Sequence, residues 1–436
     1  MIRQIESIAR IGGQVHLPGS KSVTHRALLI AALADGESRI RNPLRAEDTL
    51  LTAQALEQLG VELLWEQDAV RVRPPKLRWS EPAAPVQLGN SGTSMRLLAG
   101  FLAAGRGRFV LDGTDRLRER PIGPVLEGLA EQGVRGHFLG QGGYPPVEMV
   151  TTGLQGGEIE IDARQSSQFL SSILVVAPCA PRDMVVSWME PVASLPYVHL
   201  TLAMLEQWGV TYHWLGSNRV RIPAPQVYRA QDYLVEGDCS SASYWWAAAA
   251  ITGGEIVTAP VTSEALQGDC RFLEVLERMG CTIHWGEKSV RVQGPERLNA
   301  LDLDMNAMPD MVPTLAVVAA FAEGTTRIHN VAHLRIKESD RIAVVAMELS
   351  KLGVVVKELP DGLVIRGGGA RGAAIESHND HRIAMAFAIA GLRIPGLTIH
   401  GAEAVAKSYP TFWEEFTRVA HEPQERPGLP LCHALA

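Results

Sequence analysis

Six stretches of the chain, residues 27–34, 95–104, 173–177, 244–251, 315–322 and 383–392, are apolar at nearly every position. A helix without a polar face belongs inside a domain, so each stretch is expected to form a buried helix. Between them run segments with a different pattern: Val70-Arg71-Val72-Arg73, Arg219-Val220-Arg221-Ile222 and Val290-Arg291-Val292-Gln293 alternate apolar and polar with period two. That alternation marks a strand with one wet face. Helices inside and half-exposed sheets outside follow from the two patterns together.

The elements also recur. Leu59-Gly60-Val61, Gln132-Gly133-Val134, Trp208-Gly209-Val210, Met279-Gly280-Cys281 and Leu352-Gly353-Val354 place their glycines 73, 76, 71 and 73 residues apart. Each glycine is expected to close a helix before a strand. After four of them a hairpin is expected, turning at Glu66-Gln67-Asp68, Gly216-Ser217-Asn218, Gly286-Glu287-Lys288 and Pro360-Asp361-Gly362. Six units of about 72 residues fit two domains of three units each, in keeping with the size limit of a single core. The strand before Pro18 precedes the first unit and is expected to complete a sheet of the last ones. The domains are then 19–236 and 1–18 plus 237–436, with crossings near Pro18-Gly19 and Glu236-Gly237. Residues 422–436 have the composition of a flexible tail.

Composition narrows the class. Apolar residues at 46% and charged residues at 20% describe a folded, soluble chain, and a net charge of −7 argues against nucleic acid or an anionic membrane as the main partner. Any anion site must be local. The five cysteines form no CxxC pair and no metal-like spacing with histidine, so neither a disulfide nor a zinc site is expected and a reducing compartment fits. The first residues hold no apolar core of signal-peptide length, and no apolar run is long enough for a bilayer. A cytoplasmic enzyme or binding protein is the expectation.

Unusual polar residues gather at the starts of the six helices. Pro18-Gly19 reads as a turn and Ser20 or Ser22 as a cap, with Lys21 and Arg26 adding charge where free backbone N–H groups attract anions. The plainer alternative is a capped core helix with two surface cations. A nucleotide P-loop is disfavoured, because Ser20 stands where that motif needs glycine before Lys-Ser. Gly89-Asn90-Ser91-Gly92-Thr93 is a glycine-bracketed loop, which alone does not specify a ligand. Leu117-Arg118-Glu119-Arg120-Pro121 puts two guanidinium groups before a helix that Pro121 is placed to begin.

Gln165-Ser166-Ser167-Gln168-Phe169 offers four hydrogen-bonding side chains where one cap suffices, and Ser194 and Tyr197 follow. Met308-Pro309-Asp310 sets an acid at a helix start. The run from Arg335 to Arg341 carries five charges in seven residues, which in an average protein would be a solvated helix face. His378-Asn379-Asp380-His381-Arg382 opens the last apolar helix, and Lys407 precedes Ser408-Tyr409-Pro410. Adjacent histidines beside an arginine suit an anion better than a metal.

The set LPGSKSVTHRALL, LGNSGTSMR, ERPIG, SSQF, RIKESDR, NDHR and AKSYPTFW, running from Leu17 to Phe416, closely resembles the enolpyruvyl transferases, in particular the branch acting on shikimate 3-phosphate. The resemblance implies an α/β fold: a two-lobed inside-out α/β barrel of six βαβαββ units, meeting at a cleft that closes on substrate. It implies transfer of the enolpyruvyl group of phosphoenolpyruvate to the 5-hydroxyl of shikimate 3-phosphate, with no metal and no organic cofactor, by a monomer that glyphosate inhibits. Addition and elimination through a tetrahedral ketal phosphate require cations for two anionic substrates, a base for the hydroxyl, and a group to exchange protons with the methylene carbon.

By the same resemblance, Lys21, Ser22, Arg26, Ser166, Ser167, Gln168, Ser194, Tyr197, Asp310, His333 and Lys337 would hold shikimate 3-phosphate. Lys21, Asn90, Gly92, Arg120, Gln168, Arg341, His381, Arg382 and Lys407 would surround phosphoenolpyruvate. Asp310 and Lys21 are candidate bases, Glu338 the candidate at the methylene carbon, and Lys407 and His381 would support charge at the leaving phosphate. Two positions depart from the pattern: His333 replaces a common Asn, making that contact doubtful or pH-dependent, and Leu97 replaces a Pro common after Met-Arg. The related transferase for a UDP-sugar carries a reactive cysteine in its second unit, and residues 108–120 here contain none. A non-catalytic phosphosugar-binding scaffold is the other alternative, opposed by the acids Asp310 and Glu338 beside anionic ligands.

Overall fold

The computed structural model describes residues 1–75, 79 and 81–421, and the expected flexible tail at 422–436 lies outside the described residues. Twelve α-helices are present among the described residues: α1 (Lys21–Ala31), α2 (Glu47–Gln58), α3 (Gly92–Ala103), α4 (Gly123–Glu131), α5 (Ser167–Val176), α6 (Pro196–Gln207), α7 (Cys239–Thr252), α8 (Phe272–Arg278), α9 (Val312–Ala319), α10 (Arg341–Lys351), α11 (His381–Gly391) and α12 (Phe412–His421). The six apolar stretches fall in α1, α3, α5, α7, α9 and α11, and every residue of α3, α7, α9 and α11 is buried. These helices extend further toward their N-termini than the apolar runs do, because polar caps begin them. Ser20, Ser91, Ser166, Asp238 and Asp380 each accept a hydrogen bond from a backbone N–H in the first turn that follows.

Sheets flank the helices in a recurring order. Gly157–Ile161 runs parallel to Met184–Trp188, which pairs antiparallel with Arg219–Ile222, which pairs antiparallel with His213–Gly216. The register aligns Ile159, Val186 and Val220, all buried, while Arg221 and Asp183 pair on the wet side. The same order joins Val86–Gln87, Gly107–Asp112, Val147–Thr151 and Arg135–Phe138, and again Asp302–Asp304, Thr325–His329, Gly362–Arg366 and Val355–Leu359. All four expected hairpins form, and the five repeat glycines have φ between 81° and 110°. Every sheet is open, and no closed barrel forms among the described residues.

Three sheets borrow a strand from distant sequence. The segment before Pro18 supplies two strands where one was expected: Ile2–Gln4 pairs with Thr398–His400, and Gly12–His16 runs parallel to Glu255–Ala259. In exchange, Asp232–Leu234 runs parallel to Ser38–Arg41. The buried side chains form two clusters, an N-terminal core between Val23 and Val235 and a C-terminal core of Ile5 to Leu17 with Cys239 to Val419. The chain passes between them at Gly19 and Gly237, which bridge one another; a Cβ on either would strike a carbonyl oxygen, of Asn42 or of Pro260.

Several local expectations are corrected. Pro121 does not begin a helix; α4 starts at Gly123 with Pro124 in its first turn, while the Pro121 carbonyl accepts hydrogen bonds from Arg96. Residues 335–341 are not a solvated helix face, since a 3-10 turn ends at Ile336 and Asp340 caps α10. The fifth apolar run ends as a helix at Ala319, and Ala322–Glu323 is a short strand. A disulfide is present: Cys239 and Cys270, 31 residues apart, are joined. Gln267 brings them together by accepting from the Cys239 N–H and donating to the Gly237 carbonyl, leaving their Cα atoms 5.3 Å apart, within disulfide reach. No helix among the described residues is long and apolar enough to cross a membrane.

Candidate active site

The first turns of α1, α3, α5, α10 and α11 and the turn before α9 open on one cleft, lined from the N-terminal core by Lys21, Ser22, Arg26, Thr93, Arg120, Ser166, Ser167, Gln168, Ser194 and Tyr197. Asp310, Lys337, Glu338, Arg341 and Arg382 line it from the C-terminal core. Six side-chain cations thus face two carboxylates in a protein that is acidic overall. The free space at the centre is about 50 Å³, room for a few waters.

Side chains that neighbour this lining hold it in place. Asp48 in α2 is buried and accepts from Lys21 at 3.1 Å and from Lys407 at 2.6 Å. Burial alone would raise its pKa, yet Lys407 and Lys21 hold it well below the usual carboxylate range. Lys407 also donates to the Asn90 carbonyl at 3.1 Å, and Arg120 donates to the same oxygen at 2.8 Å. Gly92 lies against Arg120, where a Cβ would come within 2.9 Å of Nη1 and closer still to the rest of the guanidinium. Of the expected ligands, Asn90, Gly92 and Lys407 therefore stand just behind the lining.

Arg26 is fully buried and spends its donors on Thr201 (2.8 Å), Ser171 (2.9 Å) and the Ser22 carbonyl (3.0 Å). Burial draws its pKa down to about 10, so it remains a cation at neutral pH. On the opposite wall Arg341 donates to Asp310 (2.8 Å), Glu338 (2.7 Å) and Asp380 (2.8 Å), and Arg382 to Asp310 (2.8 Å). Burial would push Asp310 and Glu338 up, but the surrounding cations hold both well below the carboxylate range. Burial, reinforced by Arg96 and Arg341, lowers Lys337 to about 8.

The two histidines are neutral. His381 is wholly buried with neither ring nitrogen hydrogen-bonded, and burial followed by Lys21 and Arg382 drives its pKa far down. His333 is buried outside the lining, and burial, then Lys337, lower it to about 3, so the expected pH-dependence of this position does not extend to neutral pH. Leu97 is buried inside α3, which continues through it without a break.

Several groups were missed from sequence. Asp48 gave no signal beyond an acid in a helix's first turn, which is ordinary. Arg96 stands one turn past Gly92 in a quoted motif; it donates to Gln168 (2.9 Å), which in turn donates to Thr93 (3.0 Å), and burial, then Arg120, lower its pKa to about 9. Arg116 donates to the Lys337 carbonyl at 2.7 Å, tying the loop of Glu338 to the N-terminal core.

Fold and cleft together define a class of α/β protein with a cation-lined cleft between two cores, a site whose charge suits small, multiply anionic ligands. The profile of the EPSP synthase family, EPSP synthase being 3-phosphoshikimate 1-carboxyvinyltransferase, matches residues 5–416, and the chain belongs to that family. It is 55% identical over 421 residues to the 3-phosphoshikimate 1-carboxyvinyltransferase of Syntrophobacter fumaroxidans, covering 96% of this chain and 100% of that one. Identity to the enzyme of the same name from Nostoc punctiforme is 41%, covering 94% and 97%. The EPSP synthase structure from Acinetobacter baumannii superposes with a TM-score of 0.80 at 32% identity, covering 96% and 98%. The enolpyruvyl transferase NikO from Streptomyces tendae shares the fold at 18% identity, with a TM-score of 0.78 and coverage of 95% and 96%.

Proposed function

We infer that this protein transfers the enolpyruvyl group of phosphoenolpyruvate to the 5-hydroxyl of shikimate 3-phosphate and releases inorganic phosphate, a step of the shikimate pathway. The observation that carries the reading is the convergence of six cations and two carboxylates, from sequence positions 21 to 382, on one cleft between two cores. We read the cores as two lobes, 19–236 and 1–18 plus 237–436, each an inside-out arrangement of three βαβαββ units. The small central space supports opening of the lobes for entry and closure around the substrates. The working form in this reading is a cytoplasmic monomer, with glyphosate occupying the phosphoenolpyruvate half.

Shikimate 3-phosphate is placed against Ser22, Arg26, Ser166, Ser167, Gln168, Ser194, Tyr197 and Lys337, with Asp310 on the reacting hydroxyls and the expected His333 contact left out, because that side chain is outside the lining. Phosphoenolpyruvate is placed against Lys21, Asn90, Gly92, Arg120, Gln168, Arg341, His381, Arg382 and Lys407. The 5-hydroxyl oxygen attacks C2 as C3 gains a proton, giving a ketal phosphate; C3 then loses a proton as phosphate departs. Asp310 and Lys21 are the candidate acceptors of the hydroxyl proton. Glu338 is ion-paired with Arg341 and ionised at rest. Arrival of the phosphoenolpyruvate anion beside Arg120 and Lys407 offsets part of the field that keeps Glu338 ionised, so its pKa moves up toward the value needed to give and retake a proton at C3. Lys407, Lys21 and Arg120 supply the positive charge for departing phosphate.

Phosphorus NMR of the protein with both substrates tests this reading. The phosphoenolpyruvate signal is expected to fall as inorganic phosphate grows, while the shikimate 3-phosphate signal gives way in equal amount to that of a new phosphomonoester. Bound shikimate 3-phosphate without turnover would favour the scaffold alternative, and turnover of a UDP-sugar instead would favour the cell-wall transferase.

A further inference from the structure

Asp269 lies outside the residues assigned above, yet it reaches across the cleft. It sits in the 3-10 turn Gly268–Arg271 before α8 and is wholly buried. Its Oδ2 accepts from the Tyr197 hydroxyl at 3.1 Å and from the Ser240 hydroxyl, while Oδ1 has no hydrogen-bond partner. Tyr197 opens α6 on the N-terminal core and lies 5.9 Å from the Arg26 guanidinium, ring face to cation. The same corner is gripped twice more from the C-terminal core: Gly268 faces Pro196, where a Cβ would come within 2.5 Å of the ring, and the Asn306 carbonyl accepts from the Ser194 N–H at 3.0 Å.

A buried carboxylate answered by two neutral hydroxyls and no direct cation is costly in folding terms, and such groups persist where they fix geometry. Asp310, Asp238 and Arg382 are the charged groups around it; burial first, then Asp310, raise its pKa to about 6. It is therefore ionised at neutral pH and a strong acceptor. The Tyr197 proton is committed to Asp269, so the phenol oxygen is left to accept from a substrate hydroxyl, and the ring is locked beside Arg26.

We propose that Asp269 is a positioning residue for the shikimate 3-phosphate half of the cleft, acting through Tyr197 and holding the Ser194–Tyr197 corner against the opposite core. The proposal rests on the reading of the cleft given above. Wild-type binding of shikimate 3-phosphate, measured first by calorimetry, separates the two: its absence would overturn the cleft reading, and the proposal with it, before any variant is made.

With binding established, Asp269→Ala is expected to raise the KM for shikimate 3-phosphate about tenfold while leaving kcat and the KM for phosphoenolpyruvate within about twofold. Asp269→Asn keeps an oxygen acceptor for both hydroxyls and should recover most of the loss. Tyr197→Phe should match Asp269→Ala, and the double variant should be no worse than Tyr197→Phe. A purely structural role would lower the melting temperature and leave the KM for shikimate 3-phosphate unchanged, overturning the proposal. Should Asp269→Ala fail to fold, Tyr197→Phe decides alone, since it removes the hydroxyl that Asp269 holds: a KM for shikimate 3-phosphate within about twofold of wild type contradicts action through Tyr197.

Discussion

Lys407 and Asp48 stand 359 residues apart in the chain and share an ion pair of 2.6 Å that joins the two cores just behind the cleft lining. Asp48 also holds Lys21, so one buried carboxylate restrains the two ammonium groups that the proposed reading sets at a phosphate. Breaking a buried pair from one side strands the other charge, at about 3–5 kcal/mol. Asp48→Asn is therefore expected to lower the melting temperature by several degrees, and phosphoenolpyruvate should stabilise the variant more than the wild type because it supplies the missing negative charge. Equal stabilisation of both proteins in a thermal-shift titration would show that the lysines do not face the ligand.

Lys337 supplies a pH dependence whose sign follows from its direction of shift. Its folded-state pKa is lowered from 10.5 to about 8, first by burial, so it carries charge below that value and loses it above. The unfolded chain then holds more protons between the two values, and this lysine's unfavourable contribution to stability fades as pH rises through that window. Affinity moves the other way. If the ammonium is needed for the substrate phosphate, the Kd for shikimate 3-phosphate should weaken about tenfold between pH 7 and pH 9, and Lys337→Arg should flatten the profile. A pH-independent Kd in the wild type removes Lys337 from the phosphate.

Gly92 has no room for a side chain on the face it turns to Arg120. Gly92→Ala must displace that guanidinium, which should raise the KM for phosphoenolpyruvate by about tenfold and weaken glyphosate inhibition with it, while the KM for shikimate 3-phosphate stays close to wild type. An unchanged KM for phosphoenolpyruvate would place that substrate elsewhere.

Glu338 is pinned by Arg341 at 2.7 Å, with Arg120 at 3.7 Å. Glu338→Gln keeps the shape and a hydrogen-bonding oxygen but cannot exchange a proton, so kcat should fall by about 10²- to 10⁴-fold with shikimate 3-phosphate still bound. Loss of deuterium incorporation into the methylene group in heavy water would mark the same step. A variant with near wild-type kcat assigns the proton to another group.

Much of the fold was legible because the inner helices have no polar face: the apolar runs ending in Ile251 and Leu392 can only be buried, and the repeat glycines mark where each helix stops. The borrowed strands were harder. Nothing in Asp232–Leu234 says that it will pair with Ser38–Arg41, because parallel pairing across two hundred residues leaves no local pattern. At the site, caps and motifs pointed to Lys21, Ser166 and Arg382. The run from Arg335 to Arg341 looks like a solvated face by charge density, whereas in the fold Glu338 and Arg341 are buried. Asp48 and Asp269 were invisible since each is one carboxylate whose meaning lies in a partner far along the chain. The Cys239–Cys270 link was hidden for the same reason, with a spacing of 31 residues that matches no redox or metal motif.

A crystal structure of the protein with shikimate 3-phosphate bound tests the central claim most directly. The substrate phosphate is expected beside Ser166, Ser167 and Lys337, its ring hydroxyls on Asp310, and Tyr197 still bonded to Asp269, with the Lys21, Arg120 and Lys407 half left open for the second anion. Shikimate 3-phosphate seated on one core alone, with Arg26 and Lys337 on opposite sides of a gap and only one of them touching it, would contradict the account.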